Sequence, residues 1–231
     1  MKKIGILCAT AKEVHPYLST IEIKKASEYA MHCFCNGLIA GTEVVAVYSG
    51  CGKINASITA QLLIDRYQVD AVIFSGIAGG MKKEIEVFDT VVCTASTFHD
   101  TDNEIYTDFP VMDEPIFCAD KRLISLARKA AEGIERKTYF GLATTGDRYV
   151  EPIHPDALCI DMETAAAAHT CYLNKVPFVA IRSISDNNKE SGQEAINRNY
   201  EKAAYQSYQF VYAMLHELGK ENVCGSGEGE K

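Results

Sequence analysis

Four short segments hold residue types able to do proton and sugar chemistry: Thr10–Val14, Ser75–Gly80, Asp161-Met162-Glu163 and Arg182–Asp186. Each lies at or just past the end of an apolar run. Glu13 and Asp186 are candidates for a general base and a general acid, because a carboxyl held beside a reacting bond takes or gives a proton. Asp161 and Glu163 suit a ribose, since one carboxylate accepts hydrogen bonds from both vicinal hydroxyls. Arg182 stands inside the apolar run VPFVAIRSIS, where an arginine is almost never buried without an acid. Glu163 is its expected partner.

Each segment also has a purely structural reading. Thr10-x-x-Glu13 matches a capping box, in which the glutamate reaches back to the cap amide. Asp161 and Glu163 precede an alanine-rich run and suit the positive end of a helix dipole. Asp186 fits an N-cap. The glycines of Ser75–Gly80, like those of Ser49-Gly-Cys-Gly-Lys53, serve a strand-to-helix turn as readily as the close approach of a ligand. Neither is a dinucleotide fingerprint or a P-loop.

The elements that must position these residues follow from hydrophobic pattern. Lys3–Cys8, Ala71–Ser75, Thr90–Ala95, Thr138–Thr145, Ala157–Ile160 and Phe178–Ile184 are short apolar runs that predict buried strands. Met31–Ser49 reads as extended segments with turns at Asn36-Gly37 and Ala40-Gly41. Helices are expected from Thr10, over Lys53–Tyr67, over Asp120–Glu132 with Asp120 as cap, over Glu163–Leu173 and over Glu194–Leu218. Asp100–Pro115 and Glu151–Pro155 read as loops. Strands that alternate with helices and are apolar throughout predict a three-layer α/β sandwich: a mixed, largely parallel sheet flanked by helices. Residues 1–218 form one domain in this reading, and the glycine-rich stretch 219–231 a disordered tail. In such folds, sites gather at the carboxyl ends of strands.

Bulk properties exclude several functions. The chain has 231 residues and a net charge of −8 with no Lys/Arg cluster, which argues against nucleic acid as a partner. No stretch approaches the roughly 20 apolar residues of a membrane span, and the apolar run near the N-terminus is short for a signal core. A cytoplasmic protein is expected. The nine cysteines contain no CxxC pair and no zinc spacing, so they read as small buried hydrophobes in a reducing compartment, with no metal site.

Taken in order, KIGILCATAKEV, SGCGKINA, SGIAGG, FHD (98–100), TGDRYV (145–150), DMETAAAAH and VPFVAIRSISD resemble the nucleoside phosphorylase-like superfamily. Within it the chain is similar to the 5'-methylthioadenosine/S-adenosylhomocysteine nucleosidases. The resemblance spans residues 2 to 186 and continues more weakly through the last helix.

The resemblance implies a nucleosidase that hydrolyses the N-glycosidic bond of small-molecule adenine nucleosides, needs no cofactor and forms a homodimer. Asp186 would protonate adenine N7, and Glu13 would activate water. Glu163 would grip the 2'- and 3'-hydroxyls with Met162 against the sugar, and Arg182 would position Glu163. Tyr149 and Val150 fall where adenine is held, and Ile196 where the 5'-substituent is lined. A partner's loop, here Asp100–Pro115, would close the 5' pocket.

The residue types suit that chemistry. A neutral purine leaves an oxocarbenium-like transition state far more readily than an anion, and water needs a carboxylate on the opposite face of the sugar. Phosphorylases of the superfamily bind phosphate with several arginines. This chain has none before Arg66, which favours water. A purine nucleoside phosphorylase and a silent binding protein on the same fold are the alternatives. Departures from the family pattern are Ile77, where many relatives have serine, Asp161 for a commoner glutamate, a shortened 149–161 stretch and an altered loop after His99. Ile77 predicts a polar contact missing beside Asp186.

Overall fold

A computed structural model describes residues 1–106, 108–110, 112, 114–148 and 153–225. The strands are β1 (Lys3–Cys8), β2 (Glu22–Tyr29), β3 (His32–Ile39), β4 (Thr42–Tyr48), β5 (Ala71–Gly80), β6 (Thr90–Phe98), β7 (Phe117–Cys118), β8 (Thr138–Thr145), β9 (Ala157–Asp161) and β10 (Phe178–Asp186). The helices are α1 (Ala11–Leu18), α2 (Lys53–Asp65), α3 (Lys121–Ala131), α4 (Thr164–Asn174) and α5 (Gln193–Gly225).

Alternation along the strands builds two cores. Val45, Val47, Val72 and Phe74 face α2 and α4, whereas Val44, Ala46, Ile73 and Ile181 face α1, α3 and α5. Each valine, isoleucine or phenylalanine among them contributes about 1.5–3 kcal/mol on full burial. That two-sided burial is why the strands are continuously apolar. Helices therefore cover both faces of a mixed sheet, as expected.

Two details of the expected architecture are corrected. The sheet is not largely parallel: among the described residues five strand pairings are parallel and five antiparallel. Nor is it a flat central layer, because β10 pairs with both β6 and β5 and so closes the run β10-β6-β8-β9-β5 on itself. The cause lies in β5. Its first half, Ala71–Phe74, pairs with β1, while its end, Gly79-Gly80, has moved across to β9. The glycine-rich half of the strand lets it leave one neighbour for another. A side chain at Gly79 would press on Ile160 at 3.1 Å.

Other differences have local reasons. Asn36-Gly37 is not a turn but lies inside β3, with glycine required because a Cβ there would collide with the Glu22 carbonyl of β2. The hairpin turns instead at Ala30-Met31, both at positive φ. β2 itself escaped prediction because EIKKASEY is almost wholly exposed; its lysines and glutamates protect an open sheet edge. The last helix runs past Leu218 to Gly225. Gly219 lets it pass close to the Ala40 carbonyl, and Glu221 pairs with Lys129 at 2.9 Å and Arg122 at 3.3 Å.

Of the eight cysteines whose side chains are described, all free, Cys8, Cys35, Cys93, Cys159 and Cys171 are buried, while Cys33, Cys51 and Cys118 are exposed. The buried-hydrophobe reading thus holds for five of them. Among the described residues no helix is long and apolar enough to cross a membrane.

Candidate active site

The ends of β1, β5, β9 and β10 meet at one cavity of about 300 Å³. Its wall includes Glu13, Ile77, Met162, Glu163, Asp186 and Ile196, so the structure brings together residues drawn from all four segments. A second cavity of about 260 Å³, lined by His99, Gly146, Asp147 and Arg148, shares Gly79, Asp161, Met162, Asp186 and Ile196 with the first. Tyr149 and Val150 lie outside the described residues. A groove of about 380 Å³ between α1 and α5, lined by Lys12, His15 and Glu201 among others, contains none of the strand-end acids.

Glu13 does two jobs at once. Thr10 and Glu13 form the expected capping box at the start of α1. Glu13 Oε2 accepts from the backbone N–H of Ala9 at 2.9 Å and Thr10 at 2.8 Å, and from Thr10 Oγ1 at 3.2 Å. Oε1 crosses to β5 and accepts from the Ile77 N–H at 2.9 Å. Burial raises its pKa, opposed by Arg182 and by the amide donors. The carboxyl thus ties β1 to β5 and stands in the cavity wall.

That approach requires Gly76. A Cβ there would lie against Glu13 Oε1 and 2.6 Å from Arg182 Nη1. Both neighbours are buried and held by several partners, so neither moves cheaply. Gly76→Ala is therefore expected to destabilise the fold by about 1–3 kcal/mol and to cut activity by displacing Glu13. Chemical denaturation with a parallel rate assay checks this; an Ala variant with unchanged stability and rate would remove the packing argument.

Arg182 is fully buried at the centre of the acidic cluster. Its nearest acid is Asp161, with Nε to Oδ2 at 2.8 Å, and Glu163 is second, with Nη2 to Oε2 at 3.7 Å. Glu163 is thus a partner as expected, but Asp161 is the nearer one. Asp161 has the closer role because it also caps α4: Oδ1 accepts from Glu163 N–H at 3.2 Å, Thr164 N–H at 3.1 Å and Thr145 Oγ1 at 2.6 Å. Thr164 Oγ1 donates to Oδ2 and accepts from Arg182 Nε at 2.9 Å. The guanidinium lies over the Phe74 ring at 4.2 Å. Burial alone would lower its pKa, but Asp161, Glu163 and Glu13 outweigh that and raise it. Nη2 makes no hydrogen bond among the described residues, and its nearest acid is Glu163 Oε2 at 3.7 Å.

Glu163 needs no side-chain cap role, since Asp161 fills it. Its Oε1 accepts from the Gly52 N–H at 2.8 Å, which brings the SGCGK turn to the site. Burial pushes its carboxyl up to about 7, with Arg182 pulling down and Asp161 pushing further up.

Asp186 follows a bulge in β10, where the register against β5 slips between Ile184 and Asp186. It sits between the two cavities. Ile77 has no hydroxyl to offer, but Ser185 Oγ donates to Asp186 Oδ1 at 2.6 Å, so the contact expected to be missing comes from the neighbouring residue. Ser185 in turn is held through its carbonyl by Asn199 Nδ2 at 2.9 Å. The rim of the second cavity is also braced: Lys53 Nζ pairs with Asp100 at 2.8 Å, and Asp100 Oδ2 accepts from the Asp147 N–H at 2.8 Å.

Several known proteins are similar to this chain. The phosphorylase superfamily model matches residues 3–216. A 5'-methylthioadenosine/S-adenosylhomocysteine nucleosidase from Chromohalobacter salexigens is 35% identical over 95% of this chain and 99% of its own length. Among solved structures, the Neisseria meningitidis nucleosidase of that name, in complex with methylthio-immucillin-A, superposes with a TM-score of 0.86 at 29% identity, covering 94% of this chain and 100% of that one. The Colwellia psychrerythraea nucleosidase in complex with adenine gives a TM-score of 0.85 at 33% identity, covering 93% and 94%.

Proposed function

The chain belongs to the phosphorylase superfamily and, within it, to the 5'-methylthioadenosine/S-adenosylhomocysteine nucleosidases, and on that premise we propose that it hydrolyses the N-glycosidic bond of 5'-substituted adenine nucleosides. The substrates are 5'-methylthioadenosine, S-adenosylhomocysteine and 5'-deoxyadenosine, and the products adenine and a free 5-substituted ribose. One observation carries this reading: Glu13, Glu163 and Asp186 share a cavity whose described lining includes no lysine or arginine. Phosphate, an anion, would meet like charge there, whereas water needs only a carboxylate to take its proton.

In this reading adenine occupies the second cavity, beside His99, Gly146, Asp147 and Arg148, and Tyr149 and Val150, next in sequence, hold it as the resemblance implies. Asp186 gives a proton to N7 as the bond to C1' lengthens, with Ser185 fixing the carboxyl's orientation. Glu13 takes a proton from the attacking water. Glu163 accepts from the 2'- and 3'-hydroxyls, and Met162 packs on the sugar. Ile196 lines the 5' side. The test is adenine release in phosphate-free buffer. An absolute requirement for phosphate would move the chain to the phosphorylase reading.

The elevated Glu163 pKa gives a signed pH dependence. Below about pH 7 the group carries a proton and loses an acceptor for the ribose hydroxyls. kcat/KM should therefore rise with pH up to about 7 and then level. The stability linkage runs the other way. A carboxyl raised in the folded state favours folding below its ordinary range, and that contribution disappears as pH rises through about 7. Paired pH profiles of kcat/KM and melting temperature check this; a kcat/KM that is flat from pH 5 to 7 would remove Glu163 as the ribose anchor.

A cytoplasmic homodimer completes the proposal, with the 100–115 segment of one copy closing the partner's 5' pocket. Support comes from exposed large apolar side chains at Ile54, Ile58, Ile105 and Phe109. A monomeric mass in solution at full activity would sink this part.

A further inference from the structure

Three loops around the site meet on one lysine that lines neither cavity. Lys53 ends the SGCGK turn and opens α2. The N-cap of that helix, Gly52, has no side chain to cap with, and an acid from another loop takes the role: Asp147 Oδ1 accepts from the Lys53 N–H at 3.1 Å. Lys53 Nζ donates to both oxygens of Asp100, at 2.8 and 2.9 Å, and lies 3.6 Å from Asp147 Oδ2. Asp100 Oδ2 also accepts from the Asp147 N–H at 2.8 Å. Lys53, Asp100 and Asp147 thus form a closed ring that joins the 49–53 turn, the end of β6 and the segment after β8.

The ring connects the two ends of the site. On one side the Gly52 N–H holds Glu163 at 2.8 Å. On the other, Asp147 belongs with Gly146 and Arg148 to the wall of the second cavity, and His99 Nε2 contacts the Arg148 carbonyl at 2.7 Å. The packing leaves little slack. A Cβ at Gly146 would meet His99 Nε2 at 2.5 Å and Asp100 Cγ at 2.9 Å, and Gly52, at φ +96°, would place one 3.3 Å from Asp147 Oδ1. Burial would raise the Asp100 pKa, but Lys53 and the Asp147 amide outweigh it and hold the carboxyl below its usual range. Among the described residues, Lys53 is the one lysine or arginine paired with either acid. Without it, two like charges would be left side by side at the cavity wall.

We propose that Lys53 is a positioning residue that holds the 146–148 wall of the adenine compartment against the turn anchoring Glu163, so that base and ribose are bound in fixed relation. This rests on the hydrolase reading of the same site and deepens it. Lys53 touches no reacting atom in that reading, so its loss should fall on binding more than on turnover.

Lys53→Met is expected to weaken binding of free adenine, read by calorimetry, by about tenfold and to raise KM for 5'-methylthioadenosine by a similar factor, with kcat within about threefold of wild type. Lys53→Arg, which restores a cation, should recover most of both losses. Asp100→Ala should weaken adenine binding too, and the double variant Lys53→Met/Asp100→Ala should be no worse than Asp100→Ala alone, because both changes open one ring. An unchanged adenine affinity in Lys53→Met, no recovery with arginine, losses that multiply in the double variant, or a loss confined to kcat would overturn the inference. If Lys53→Met does not fold, Lys53→Gln is measured in its place by the same criteria. If wild type binds adenine but frees none from nucleosides, the hydrolase reading fails instead, and the adenine affinities still decide the role of Lys53.

Discussion

Asp186→Asn is expected to lower kcat for adenine release by about a hundredfold to ten-thousandfold, the usual worth of a positioned proton donor. The substitution keeps the size of the side chain, and Ser185 Oγ can still donate to its carbonyl oxygen. Gly79, whose missing Cβ leaves room 3.3 Å from Asp186 Oδ2, accommodates an amide as it does a carboxyl. Folding should therefore survive, with a melting temperature close to that of the wild type. The amide can hydrogen-bond the purine but cannot transfer a proton, so the loss should fall on kcat more than on KM. Steady-state kinetics on the folded variant check this. A rate within tenfold of wild type would remove Asp186 as the acid.

The largest expected effect on stability is at Arg182. Arg182→Met preserves much of the volume but leaves Asp161, Glu163 and Glu13 without their shared cation. Breaking one side of a buried ionic cluster costs about 3–5 kcal/mol, a large part of the 5–15 kcal/mol typical of a whole fold. The deficit should shrink as pH falls, because the stranded carboxylates can then take up protons. Arg182→Lys should recover only part of the loss, since an ammonium cannot meet two carboxylates with the guanidinium's planar fork. Denaturant midpoints at pH 5 and pH 8 measure this. A methionine variant as stable as wild type at pH 8 would show that the cluster is not held by its cation.

Much of the site was legible because strand ends are punctuated in the sequence. KIGILC and VPFVAIRSISD are continuous apolar runs broken by polar residues, so Glu13 and Asp186 stood out at their termini. Arg182 advertised an acid partner by its burial, but local sequence could not choose between Asp161 and Glu163, which lie two residues apart. The choice depends on which of them caps α4. The closure of the sheet was hidden for a different reason: β5 exchanges β1 for β9 along its own length, and strand pairing between distant segments leaves no periodic trace. β2 was hidden by its exposure. The Thr10–Tyr200 contact links the first helix to the last, and nothing in either segment signals it.

The most direct measurement is the mass of the sugar product when 5'-methylthioadenosine is turned over in the presence of ample phosphate. Activation of water by Glu13, in a cavity whose described lining includes no lysine or arginine, predicts free 5-methylthioribose, formed at the same rate with phosphate or without it. A ribose 1-phosphate product, formed only when phosphate is present, would contradict the account.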